Sequence, residues 1–349
     1  MAPSRIGVLI VDDSPTVRAV LHRLVAAAPD MCVVGEAENG AQAVEEAVRL
    51  APAAVLMDIE MPVMDGFEAT ERIMALRPTP ILVVTSRANR SQVRTAFEAI
   101  RRGAVEVVPK PEDPAGWLLM ASALPAAIRA AAQARTLAPQ ARPVPAPDGA
   151  EPLAAPAPQV RYVAVGASTG GPLAIRDLLA ELPPRPPAAV LVVQHIAAGF
   201  EEGLADWLAG DLRRDVRVAA DGERAAPGTV RIAPAGAHLL LGAGGLLRVD
   251  VERPPRGVHR PSADELFESC AAFCPTHTAG VLLTGMGADG AQGLAALRRA
   301  GALTMVQDEA SSVVFGMPRA ALAAGAATIA LPPAALGRLL CRVWTGGEL

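Results

Sequence analysis

Residues 162–172 read YVAVGASTGGP, an apolar run rich in β-branched side chains that stops at small residues built around Ser168 and Thr169. The chain then continues as PLAIRDLLAEL, whose apolar residues recur at spacings of three and four. That change of period marks a buried strand, a tight turn and an amphipathic helix, which is the βα unit of an α/β sheet. Glycines alone would serve a tight turn; a paired serine and threonine ask for more. A phosphate cradle is excluded in detail, because neither G-x-x-x-x-G-K-[ST] nor G-x-G-x-x-G with an acid about twenty residues on is present. Gly166, Ala167, Ser168, Thr169 and Gly170 instead fit G-x-S-x-G, the elbow that exposes a serine hydroxyl above a sheet beside backbone N–H groups at a helix start.

The same alternation extends outward on both sides. Downstream, AAVLVVQ, AGVLLTG, ALTMVQ and AATIAL read as further strands, and LLLGAGGLLRV reads as a hairpin around Gly242 to Gly245. Upstream, IGVLIV, MCVVGE, AAVLM, PILVVT and VEVVP each precede a helical period, and five such units imply a parallel sheet with helices on both faces. Between the halves, residues 136–159 (TLAPQARPVPAPDGAEPLAAPAPQ) are dense in proline and alanine with no apolar period, as a semi-extended linker is. The expected fold is α/β throughout. An N-terminal doubly wound (βα)5 domain spans residues 1–133, a Pro/Ala-rich linker 134–159, and a C-terminal α/β domain with a mainly parallel sheet and a β-hairpin 160–349.

Composition narrows the functional classes. With 349 residues, 51% hydrophobic and 19% charged, the chain is long enough for two domains with large cores. No apolar run approaches the ~18 residues of a membrane span, and MAPSRIGVLIVDD reaches two acids before a signal-peptide cleavage pattern can form, so a cytoplasmic location without membrane insertion is expected. A net charge of −4 with no basic run or aromatic stripe argues against nucleic acid as a partner. Cys32, Cys270, Cys274 and Cys341 are scattered; Cys270 and Cys274 with His277 suggest zinc only superficially, since no fourth ligand sits at finger spacing, and they read as helix cysteines.

In doubly wound sheets the carboxyl ends of the strands form the functional rim. In the first half those ends carry Asp12 and Asp13, Asp58, Thr85 and Lys110. Carboxylates gathered on one rim repel unless a cation sits among them, and hard oxygen ligands suit magnesium. The motifs VDDSPTVR, MDIEMPVMDG, VVTS and PKP, over about the first 125 residues, resemble those of bacterial response-regulator receiver domains. The resemblance implies that Asp58 accepts a phosphoryl group from a histidine kinase or a small phosphodonor. It also implies that Mg2+ is held by Asp12, Asp13, Asp58 and the backbone carbonyl of Glu60, and that Thr85 and Lys110 bind the phosphoryl oxygens. Val107 stands where the family usually carries an aromatic, so the switch is expected to run through Thr85 rather than a ring rotamer.

A serine nucleophile needs a base. His195 closes the strand after Ser168, so a right-handed crossover places it on the same rim; His259, in RGVHRPSAD, is the rival because its loop could fold over that rim. His22, His238 and His277 read as surface or satisfied histidines. The orienting carboxylate is Asp289 in LLTGMGADG, with Asp308 and, less so, Asp264 competing. The order Ser168, His195, Asp289 is not the Ser, Asp, His order of α/β-hydrolases.

That order, with GASTGGP, QHI, PSADELFES, LLTGMGADG and DEASSVVFGMPR, closely resembles the catalytic domain of bacterial chemotaxis protein-glutamate methylesterases over nearly all of residues 160–330. The resemblance implies Ser168 as nucleophile, His195 as base, Asp289 as its orienter, Thr169 lining the site and the Met286 backbone near the oxyanion. It implies a serine ester hydrolase with no cofactor of its own, regulated by phosphorylation. Its substrates would be glutamate 5-O-methyl esters on chemoreceptors, with glutamine deamidation as a second activity. A chemotaxis histidine kinase would be the phosphodonor, and the enzyme would be peripheral to receptor arrays.

Overall fold

A computed structural model describes residues 5–85, 90–111, 113–134 and 160–346. The chain divides into two compact units, Met1–Ala141 and Arg142–Leu349. Most of the expected linker, residues 135–159, lies outside the described residues.

In the first unit the strands are β1 (Ile6–Val11), β2 (Met31–Ala37), β3 (Ala54–Met57), β4 (Ile81–Thr85) and β5 (Glu106–Pro109). They alternate with the helices α1 (Pro15–Ala26), α2 (Gly40–Leu50), α3 (Gly66–Leu76), α4 (Arg90–Arg101) and α5 (Pro114–Ala132). All ladders are parallel, in the order β2-β1-β3-β4-β5. The helix starts follow capping chemistry: Ser14, Asn39, Asp65 and Asp113 each accept a backbone N–H of the first turn. One face of the sheet packs Val8, Ile10, Leu56 and Leu82 against Leu21, Val25, Leu124 and Ile128. Strand order reverses between β1 and β3, so the residues following those strands face one crevice.

The second unit follows the same rule around a larger sheet. Its strands are β6 (Tyr162–Ala167), β7 (Ala189–Gln194), β8 (Asp215–Val218), β9 (Thr229–Ile232), β12 (Thr278–Leu282), β13 (Leu303–Gln307) and β14 (Ile329–Leu331). Their order is β14-β13-β12-β6-β7-β9-β8, parallel throughout. The helices are α6 (Gly171–Glu181), α7 (Glu201–Leu212), α8 (Ala263–Phe273), α9 (Ala291–Arg299), α10 (Met317–Ala323) and α11 (Pro333–Trp344).

The expected hairpin is present as a separate antiparallel pair, β10 (His238–Leu241) with β11 (Leu247–Asp250). Strands β8 and β9 are additions to the expected set. Each is four residues long, DVRV and TVRI, and the buried Arg231 of β9 is held by Glu223 and Asp215 at 3.0 and 3.3 Å. Phe267 and Leu266 of α8 close a core with Leu191, Leu239, Leu282 and Leu294. Strand order reverses between β6 and β12, which makes a second crevice at their carboxyl ends. No described helix is long and apolar enough to cross a membrane.

Candidate active site

Strand register sets the site. Ala167 of β6 pairs with Gln194 of β7, so Ser168 and His195 are the matched first residues beyond the two strands, and the His195 N–H donates to the Ala167 carbonyl at 3.0 Å. On the other side of β6, Gly166 pairs with Leu282 of β12, the strand that leads to Asp289. Ser168, His195 and Asp289 thus rise from three adjacent central strands.

His195 Nε2 lies 2.8 Å from Asp289 Oδ2, and because a carboxylate can only accept, the Nε2–H is the donor. Nδ1 is then the basic lone pair; it is buried and has no hydrogen-bond partner. Asp289 also sits at the N-terminus of α8. Its oxygens accept from Ser262 Oγ–H at 2.6 Å, Ala263 N–H at 2.7 Å and Asp264 N–H at 3.4 Å. Burial penalises the Asp289 charge, but His195, Ser262 and Ala263 outweigh it and hold the carboxyl well below the usual carboxylate range.

The glycines after Ser168 have specific work. Gly170 has φ +77, where a Cβ would also meet Val313 at 2.6 Å. A Cβ on Gly171 would lie 2.0 Å from Gln194 Oε1. The space that glycine leaves is filled by the Gln194 amide, whose Nε2 donates to the carbonyls of Ser168 at 2.8 Å and His195 at 2.9 Å. One buried side chain therefore ties the backbones of both residues. Gln194 and Ser262 were not singled out from the sequence; both lie in the QHI and PSADELFES motifs, but their partners are tertiary.

The rival residues take other places. His259 does not hydrogen-bond Asp289 but stacks flat on His195, with ring centroids 3.9 Å apart and planes 6° apart. Asp308 accepts from Ser311 N–H at 3.0 Å, and Asp264 from Gly293 N–H at 2.6 Å, so each braces its own loop or helix start. Of the remaining histidines, His22 pairs with Glu36 and His238 bonds Pro254 and Ser262. Thr169 is buried, its carbonyl accepting from Thr284 Oγ1–H at 3.0 Å. A Cβ on Gly285 would lie 2.6 Å from Ser168 Cβ, which sets the Met286 backbone beside the serine, with the Met286 side chain exposed.

In the first unit, Asp12, Asp13 and Asp58 each present a carboxylate oxygen within 4.8 Å of the others, and they form the one such cluster of potential metal ligands among the described residues. Lys110 Nζ lies 2.7 Å from both Asp12 Oδ2 and Asp58 Oδ2, and the Lys110 backbone N–H donates to the Thr85 carbonyl at 2.7 Å. Burial raises the Asp58 pKa to about 6 despite Lys110, with the Asp12 charge adding to the rise. A mutually repelling oxygen cluster of this kind, with Asp12 and Asp58 buried and Asp13 exposed, fits a hard divalent cation. Glu60 is exposed at the rim beyond Asp58, and a Cβ on Gly66 would lie 2.0 Å from the Asp58 carbonyl, so α3 starts directly against the Asp58 backbone. Val107 is buried in β5, paired with Val83. Cys270 is buried in α8 and Cys274 follows it as the C-cap.

Comparison with known proteins gives two family matches, CheB methylesterase over residues 163–340 and Response regulator receiver domain over residues 8–121. A protein-glutamate methylesterase/protein-glutamine glutaminase of Anaeromyxobacter dehalogenans is 45% identical over 95% of this chain and 97% of its own. One from Geobacter metallireducens is 43% identical over 94% and 96%. The crystal structure of the Thermotoga maritima CheB methylesterase catalytic domain is 34% identical, covers 53% of this chain and 98% of its own, and superposes with a TM-score of 0.51.

Proposed function

The chain belongs to the CheB methylesterase family, with a response-regulator receiver domain ahead of the catalytic domain, and on that premise we propose that Ser168, His195 and Asp289 carry out its ester hydrolysis. The activity is hydrolysis of glutamate 5-O-methyl esters on chemoreceptors to glutamate and methanol, with glutamine deamidation as the companion reaction. The observation that carries the residue assignment is the His195 ring: one nitrogen is held by Asp289 at 2.8 Å and the other is buried and free beside the strand end that presents Ser168.

His195 Nδ1 takes the Ser168 Oγ proton as the oxygen attacks the γ-carbonyl carbon. The tetrahedral oxyanion is stabilised by backbone N–H groups beside Ser168, those around Met286 among them. The imidazolium formed is stabilised by Asp289, which stays ionised because α8 and Ser262 solvate it. His195 returns the proton to the departing methoxide, methanol leaves, and a water attacks the glutamyl-serine ester with its proton passing to Nδ1. Collapse frees the glutamate and restores Ser168 Oγ–H. With a glutamine side chain, ammonia leaves in place of methanol.

Asp58 is the phosphoacceptor, with a chemotaxis histidine kinase or a small phosphodonor as the source. Asp12, Asp13, Asp58 and the Glu60 carbonyl would hold Mg2+, which supplies charge neutralisation to phosphoryl transfer. Lys110 and Thr85 then contact the phosphoryl oxygens, and the release of Lys110 from Asp12 and Asp58 is the local change that a phosphoryl group brings. The enzyme acts in the cytoplasm, at receptor arrays, without membrane insertion.

A serine-directed fluorophosphonate tests the site directly. It should modify Ser168 alone, found by peptide mass spectrometry, with loss of hydrolysis in step with labelling. Hydrolysis surviving full labelling of Ser168 would overturn the assignment.

A further inference from the structure

Asp289 holds one edge of the His195 ring through a single hydrogen bond, and the ring's other nitrogen has no partner. A ring fixed at one point can swing about it, whereas proton transfer from serine needs Nδ1 aimed within a narrow cone. Something must fix the plane. The His259 imidazole covers one face of His195 at a centroid distance of 3.9 Å with only 6° between the planes.

The loop that carries His259 is held by more than its own backbone. Arg256 and His259 exchange two backbone hydrogen bonds, at 3.0 and 3.2 Å. The Arg256 guanidinium donates to Glu268 at 2.7 Å, Gln292 at 3.2 Å and Glu265 at 3.3 Å, and lies 3.5 Å from Asp264. His238 bonds both Pro254 and Ser262, closing the loop onto β10. Three of the Arg256 partners belong to α8, the helix whose N-terminus holds Asp289. The edge and the face of His195 are thus both referenced to one helix.

Resting on the assignment of Ser168, His195 and Asp289 above, we propose that His259 is a positioning residue that fixes the plane of the His195 imidazole so that Nδ1 faces Ser168. It moves no proton of the reaction; a flat ring in its place is what the role requires. Burial and the neighbouring His195 press the His259 pKa below its ordinary value, so at neutral pH the stack opposes two rings without like-charge repulsion.

The test uses the full chain, methylated receptor membranes for methanol release, and a fluorophosphonate as a small probe of Ser168 that makes no receptor contact. His259→Ala should lower kcat by about 10- to 100-fold, the scale of a base misplaced by about 1 Å, with KM changed by less than about threefold. It should slow fluorophosphonate inactivation to the same extent. His259→Phe, a flat ring without nitrogens, should recover most of both losses. Arg256→Gln, which touches neither ring, should reproduce part of the kcat loss with KM unchanged, so the account does not depend on one variant folding. The proposal is overturned if His259→Ala keeps wild-type kcat and probe reactivity, or if Phe is as impaired as Ala, which would assign the role to the imidazole nitrogens. Ser168→Ala separates the two levels. Hydrolysis retained in Ser168→Ala sinks the triad assignment itself, whereas an inactive Ser168→Ala beside an unimpaired His259→Ala sinks the stack alone.

Discussion

Gln194 has no part in the proposed proton transfer, yet its amide holds the carbonyls of both Ser168 and His195. Gln194→Glu would turn a donor into an acceptor facing two carbonyl oxygens. We expect kcat for methanol release to fall about 10- to 100-fold, with substrate KM little changed. An unimpaired Gln194→Glu would show that the strand register suffices by itself. Asp58 gives a second prediction, about stability. Its folded pKa of about 6 lies above the ordinary carboxylate value, so the folded state binds the extra proton. The stability tied to this group is full below about pH 4 and is lost as pH rises through about 6. In chelator, Asp58→Asn should therefore melt higher than wild type at pH 7.5 and show no excess near pH 4. Mg2+ should raise the wild-type midpoint at pH 7.5 and leave Asp58→Asn much less affected. Equal melting of the two proteins across that range would refute the buried-charge account.

Helix α8 shows how an element becomes part of a site. Its first N–H groups and the Ser262 hydroxyl are spent on Asp289, a residue that follows β12, rather than on a local cap. Asp289→Asn should thus harm both activity and fold: the wrong His195 tautomer is favoured, and one acceptor oxygen is replaced by a donor at a helix N-terminus. A stability loss of about 1–3 kcal/mol is expected at neutral pH. Because the Asp289 pKa is depressed in the fold, the stability it contributes is present above the ordinary carboxylate pKa and disappears as pH falls below it. The melting difference between wild type and Asp289→Asn should shrink towards low pH; a constant difference would contradict the charge-based role.

The same helix marks where sequence reasoning stops. YVAVGA, AAVLVVQ and AGVLLTG are legible as strands because long β-branched runs end at glycine or polar turns. DVRV and TVRI are not, since four residues with an arginine among them carry no clear period, and the buried Arg231 finds its acidic partners Glu223 and Asp215 only once β8 and β9 are paired. Ser168, His195 and Asp289 stand out as polar residues directly beyond apolar runs. Gln194 and Ser262 do not, because the partners that give them meaning are set by sheet register and by contacts across the fold.

At the scale of the whole molecule, one rule is used twice. Each parallel sheet reverses its strand order at its centre, between β1 and β3 and between β6 and β12, and polar strand-end residues gather there, Asp12, Asp58 and Lys110 in one unit, Ser168, His195 and Asp289 in the other. In the function proposed above, phosphorylation at the first site sets the rate of chemistry at the second. The most direct measurement is methanol release from methylated receptor membranes by the intact chain, with and without acetyl phosphate and Mg2+, in wild type, Ser168→Ala and Asp58→Asn. Wild type should release methanol at a rate that the phosphodonor accelerates, Ser168→Ala should release none under either condition, and Asp58→Asn should show a basal release that the phosphodonor leaves unchanged. Release by Ser168→Ala, or acceleration that persists in Asp58→Asn, would contradict that function.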